Sequence, residues 1–119
     1  GVLIESILQN NFQKLVNVKR IIIQANKNHD LVRKFMVLNG FYIASEKIIF
    51  EDGIYYEIIV FEHGYRSYTN VELKYGPILL KKKDKLFLMK WQDMVNKLRK
   101  INTKETLKKA ESIESEVLK

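Results

Sequence analysis

The chain has no cysteine, a single proline and only two histidines among its 119 residues. Without cysteine there is no disulfide framework, no zinc-thiolate site and no cysteine nucleophile. His29 and His63 stand on different predicted elements with no carboxylates at ligand spacing, so no metal site is in view and both histidines read as surface residues. The five glycines are scattered as turn residues, which leaves no phosphate-cradling loop, and no serine triad is visible. No apolar run is long enough to cross a membrane, and Gly1 to Leu8 lack the charged and long apolar regions of a signal peptide. These absences predict a cytoplasmic protein with neither metal nor membrane as partner. A chain of 119 residues with 46% hydrophobic content can bury one core and carry an appendage, which is less than most complete enzymes use.

What is present is positive charge, and all of the net charge lies in the second half. Residues 1–62 carry seven Lys/Arg and seven Asp/Glu, whereas residues 63–119 carry fourteen against seven, which accounts for the net +7. A pI near 9.5 points to an anionic partner, and nucleic acid is the commonest in the cytoplasm. The densest tract is Lys81, Lys82, Lys83, Lys85, Lys90, Lys97, Arg99 and Lys100, interrupted by Asp84 and Asp93. Such a stripe can track phosphates, with an affinity that falls steeply with salt. Lysine dominates, and the tract's aromatics, Phe87 and Trp91, belong to the apolar side of the helix, so backbone contact is expected rather than base reading. The alternative is a solvated helix face on which Asp93 and Lys97 form an ordinary pair one turn apart.

Hydrophobic spacing divides the chain further. Val2, Leu3, Ile4, Ile7, Leu8 and Phe12 predict an amphipathic helix over residues 2–12. Arg20 to Ala25 is a β-branched run without alternation, the pattern of a strand covered on both faces. Asn28 offers a helix cap, Leu31, Val32, Phe35, Met36 and Leu38 an apolar stripe, and Asn39-Gly40 a stop, so a crossover to a parallel strand follows. Phe41–Phe50 and Ile54–Phe61 flank Glu51-Asp52-Gly53 as a hairpin, with the second strand apolar on both faces and therefore inside the sheet. Residues 63–76 read as a connection ending near Pro77. Beyond it Phe87, Trp91, Met94, Leu98 and Ile101 step as a heptad seam along a helix of about five turns. Asn102 with Glu105 resembles a capping box for a second helix, whose inner side is Thr106, Ala110, Ile113 and Val117. Two helices joined so tightly must run antiparallel.

The order and spacing of four segments resemble one family across nearly the whole chain. Gly1-Val2-Leu3-Ile4, Arg20-Ile21-Ile22-Ile23-Gln24-Ala25-Asn26, Asp52-Gly53-Ile54-Tyr55-Tyr56-Glu57-Ile58 and Tyr75-Gly76-Pro77-Ile78-Leu79-Leu80 are similar to the C-terminal part of the bacterial tRNA adenine-22 N1-methyltransferases. Ala25 departs from the pattern, which usually has proline there. The resemblance implies an α/β fold: the second half of a Rossmann-like methyltransferase sheet, with a parallel crossover and an antiparallel hairpin, followed by an antiparallel, coiled-coil-like helical hairpin. It implies S-adenosylmethionine as cofactor of the full-length protein and tRNA as partner. The expected division is residues 1–66 in the methyltransferase domain, 67–80 as connection and 81–119 as a basic helical hairpin that docks tRNA.

The resemblance also implies what this stretch lacks. The family's cofactor motifs lie upstream, Gly1 corresponds to the last glycine of a Gly-Met-Gly-Gly turn, and a chain starting there should not methylate by itself. Adenine N1 attacks the cofactor's methyl group in this family, so orientation carries more of the catalysis than any nucleophilic side chain. Gln24 and Asn26, just past a strand end, would border the target-base pocket; on local chemistry alone they serve equally well as turn and helix-cap residues. Glu57 in its apolar strand more often meets a paired cation than acts as a base. Tyr55 and Tyr56 are more often core than base-stacking residues. The rival to the enzyme reading is a stand-alone basic interaction or oligomerisation module, and a homodimer through an open sheet edge or the heptad seam is a further expectation.

Overall fold

The structure is a computed structural model that describes residues 19–119. The helix expected over residues 2–12 lies outside them. Strands β1 (Arg20–Ala25), β2 (Phe41–Glu51) and β3 (Ile54–His63) form one sheet in the order β1-β3-β2. The hairpin turn is Asp52-Gly53, with φ of 52° and 78° at its two residues, the twist that a two-residue turn between antiparallel strands favours.

β3 is apolar on both faces and takes the centre, pairing antiparallel with both neighbours: Ile23 lies opposite Ile59, and Ile48 opposite Glu57. The expected parallel crossover is present in direction, but its two strands are not neighbours. β1 and β2 run in the same direction, but β3 is inserted between them, and among the described residues every ladder is antiparallel. A register shift between Ile43 and Ser45 adds one residue to β2. The bulge turns Glu46 and Ile48 onto the same face as Ile43.

Helix α1 (His29–Leu38) covers that face, where Val32 and Met36 join Ile23, Phe41, Ile43, Ile59 and Phe61 in one buried cluster. Asn28 is not the side-chain cap expected of it; it adopts a left-handed φ of 57° and makes no capping bond. The stop at Asn39-Gly40 is as read, with Asn39 N donating to Met36 O and Gly40 N to Val37 O.

The stretch read as a connection holds two short helices, α2 (Asn70–Tyr75) and α3 (Pro77–Lys82), which share Gly76 as C-cap and N-cap. Helix α4 (Lys85–Ile101) starts at Asp84, whose carboxylate accepts from Phe87 N, and α5 (Lys104–Glu116) follows. The cap of α5 is Thr103 with Thr106, not Asn102 with Glu105; Asn102 instead closes α4 in the left-handed conformation that asparagine tolerates. Arg99 pairs with Glu114 near the helix junction, and Lys83 reaches the Lys119 carbonyl at the far end, so α4 and α5 run side by side in opposite directions. Phe87, Val95, Ala110, Ile113 and Val117 bury with Ile48, Tyr75 and Leu79 in a second cluster. Within α4 the fully buried residues are Phe87 and Val95, while Met94 and Ile101 remain 37% and 55% exposed. The expected heptad stepping therefore holds for Phe87, Trp91 and Leu98, which belong to or pack on this cluster, but not for Met94 and Ile101.

Candidate functional site

Five ionisable side chains converge under the end of the sheet where β1 finishes. Arg33, on the inner side of α1, is fully buried; its Nε donates to Glu46 at 2.8 Å and its Nη2 to Glu57 at 2.5 Å. Its third nitrogen reaches the carbonyls of Leu73 and Lys74 at the end of α2. Glu46 has a second task. Its Oε1 accepts from Ile78 N at 2.8 Å and Leu79 N at 3.2 Å, capping α3, whose N-cap Gly76 has no side chain to do so. Glu57 also pairs with Lys90 of α4, and His29 Nδ1 stands 3.6 Å from it. His29 Nε2 donates to the Ala25 carbonyl at 2.9 Å.

The charges balance: two cations, two carboxylates and a histidine that burial keeps neutral by lowering its pKa. Burial raises the Glu46 carboxyl despite Arg33 and the two amides. For Glu57 burial also pushes upward, but Arg33, Lys90 and His29 outweigh it and the carboxyl lies below its ordinary range. Glu57 thus has the paired cation expected of a strand glutamate, and no free oxygen for proton transfer. The Tyr75-Gly76-Pro77 motif acquires a physical reason here. Gly76 has φ +100°, and a Cβ would lie 2.7 Å from Arg33 Nη2 and from Glu46 Oε2. Only glycine allows the ion pair to approach the α2–α3 joint so closely.

Beside this cluster, two open hollows of about 340 and 260 Å³ share Asn26, Lys90 and Met94. Asn26 is therefore brought to a cleft at the strand end. Gln24 is not; it is exposed on β1 opposite Ile58, on the face of the sheet away from α1. The larger hollow is closed by the hairpin tip, with Phe50, Ile54 and Tyr55, and by Lys97 of α4. Tyr55 Oη donates to Asp93 at 2.6 Å, which raises its pKa to about 12. Asp93 is engaged there rather than with Lys97.

The basic tract separates into parts. Lys81 and Lys82 end α3, Lys83 caps it and Lys85 begins α4, forming one exposed or half-exposed group at the joint. Lys97 and Lys100 are exposed further along α4, at a distance of about 20 Å by helical rise. Arg99 pairs with Glu114. Lys90 departs from the expected stripe: its ammonium is turned inward to Glu57 and lies 4.9 Å from the Trp91 ring.

His29, at 8% exposure, is not the surface residue that the sequence suggested; His63 is exposed and stacks on Phe41. Arg33 and Glu46 escaped the sequence reading altogether. The available signal was a charged residue on the apolar side of α1 with an opposite charge in a β-rich segment. Among the described residues no group of three or more His, Asp or Glu could hold a metal, and no helix is long and apolar enough to cross a membrane.

Residues 1–119 match the family model described as tRNA (adenine(22)-N(1))-methyltransferase. A Bacillus subtilis (strain 168) protein of that description is 35% identical, over 76% of this chain and 41% of its own length. A Streptococcus pneumoniae tRNA (m1A22) methyltransferase structure, in complex with S-adenosyl-L-methionine, superposes with a TM-score of 0.88 at 33% identity, over 97% of this chain and 55% of that one. A Streptococcus agalactiae protein of the NADB-Rossmann superfamily gives 0.78 at 34% identity, over 98% and 52%. The chain thus spans about half the length of the relatives it matches. Its sheet and flanking helices are those of a Rossmann-like methyltransferase, and with every residue inside the family model the chain belongs to the tRNA (adenine(22)-N(1))-methyltransferase family.

Proposed function

We propose that this chain is the C-terminal part of a cytoplasmic, S-adenosylmethionine-dependent methyltransferase acting on N1 of an adenine in tRNA. Residues 1–66 complete the catalytic domain, 67–80 form the joint, and 81–119 are a basic helical hairpin that docks the RNA. The observation that carries this reading is the cleft in which Asn26, at the end of β1, faces Lys97 of α4. One hollow thus joins the strand ends, where α/β enzymes hold substrate, to the basic helix. Asn26 is positioned to hydrogen-bond a base edge, while Lys81, Lys82, Lys83, Lys85, Lys97 and Lys100 present ammonium groups to a phosphate backbone.

The described residues do not fit the cofactor itself. S-adenosylmethionine carries a sulfonium cation, and the clefts are lined by Lys27, Lys74, Lys90 and Lys97 against only Asp30 and Asp93. The role of this chain is to wall the substrate pocket and orient tRNA, not to supply the methyl group.

The test is tRNA affinity measured against salt. Replacing Lys81, Lys82 and Lys83 together by Glu should weaken binding more than tenfold and reduce the log–log salt slope by about three, one for each phosphate contact removed. Unchanged affinity in this variant would sink the docking role. A second association is favoured by β1, whose outer edge has no partner strand among the described residues and carries Ile22 at 63% exposure. That edge can pair with another strand.

A further inference from the structure

We propose that the hollow at the tip of the β2–β3 hairpin is a stacking subsite for one unpaired nucleotide of the RNA substrate, adjacent to the base that is methylated. This deepens the tRNA-docking reading and rests on it. A hairpin tip normally turns polar groups outward, yet here Phe50 and Ile54 are 47% and 41% exposed, and Met94 of α4 faces the same space at 37%. The Phe50 and Tyr55 rings lie 4.5 Å apart with planes tilted by 43°, and the bond from Tyr55 to Asp93 fixes the second ring against α4. An aromatic wall held rigid from behind and open in front suits a base face, which stacks on aromatics whatever its sequence.

The polar groups of the hollow are complementary to a nucleotide rather than to an apolar segment. Asn26 offers an amide at one side, and Lys97, which forms no ion pair among the described residues, offers a phosphate partner at the other. A volume of about 340 Å³ lies at the small end of ligand sites and admits one nucleotide, not a peptide helix. The occupant is therefore a single unstacked nucleotide with its phosphate on Lys97.

The experiment uses the full-length protein with tRNA carrying 2-aminopurine at an unpaired position beside the methylated adenine. Binding should quench the probe. Phe50→Leu keeps the apolar contact with Tyr55 but removes the ring; it should abolish the quenching and weaken affinity roughly five- to a hundredfold, with Tm unchanged and the salt slope intact. Lys97→Ala should instead lower the slope by about one. If Phe50→Leu binds and quenches like the unaltered protein while the triple lysine variant loses binding, the subsite is overturned and the docking role stands. If Phe50→Ala lowers Tm and affinity together and Phe50→Leu restores both, Phe50 only supports the hairpin and the subsite again falls. If the unaltered protein binds no tRNA at all, both proposals fall.

Discussion

Two buried side chains make stability depend on pH in the same direction. Burial lowers the pKa of His29 below its ordinary 6.5, so between the folded and unfolded values the unfolded chain holds the extra proton and stability rises with pH. Glu57, whose net shift is below 4.5, acts likewise at lower pH, its contribution being lost as pH falls through its folded value. Glu46 is shifted upward and opposes them just above 4.5, where the folded state holds the proton. The protein should therefore lose stability as pH drops below 6.5, and His29→Gln, whose amide can still reach the Ala25 carbonyl, should flatten that limb. Urea midpoints from pH 7.5 to 5 measure it; parallel curves for the two proteins would remove His29 as the cause. This network was only partly legible in the sequence. Glu57 announced itself by interrupting an apolar strand, whereas the bulge at Ala44 hid Glu46, because strict alternation from Ile43 would have turned it to solvent.

At the scale of elements, boundaries were legible and faces less so. The Asp52-Gly53 turn and the Asn39-Gly40 stop stand where their conformational preferences placed them, and β3 is central because both of its faces are apolar. α4 is the contrast. Phe87, Trp91, Leu98 and Ile101 fit a heptad, but a straight helix drifts relative to a 3.5-residue repeat, and Val95 takes the buried position beside Phe87 and Ala110. Val95→Ala should cost about 2 kcal/mol, from two lost methyl groups and the cavity left behind. Met94→Ala, at a 37% exposed site, should cost less than about 1 kcal/mol. Chemical denaturation of the two variants ranks them directly, and a larger loss at Met94 would restore the heptad. The segment around Gly76 was missed as helix because each of its two helices has only six residues, too short for a period to show. What stabilises α3 is Glu46, more than thirty residues away in sequence.

For the whole molecule, the buried ion network joins parts that the charge distribution separates. Glu57 belongs to the neutral half and Lys90 to the basic half; their pairing, together with Ile48 in the second core cluster, ties α4 to the sheet. Both outer strands of the sheet are open, since β1 and β2 are each paired only through β3 among the described residues, and β1 carries the exposed Ile22. An open strand with an exposed isoleucine is a template for another chain unless the rest of the protein covers it. The 119-residue chain by itself should therefore self-associate, its weight-average mass in sedimentation equilibrium rising with concentration. Ile22→Lys should suppress the rise by placing a charge on the edge strand, whereas Met94→Lys should leave it unchanged. If Met94→Lys suppresses association and Ile22→Lys does not, the contact lies on α4, where the basic helix would meet a second copy rather than RNA. A mass that stays monomeric at every concentration would show that β1 is protected without any partner strand, and the edge would then have no part in assembly.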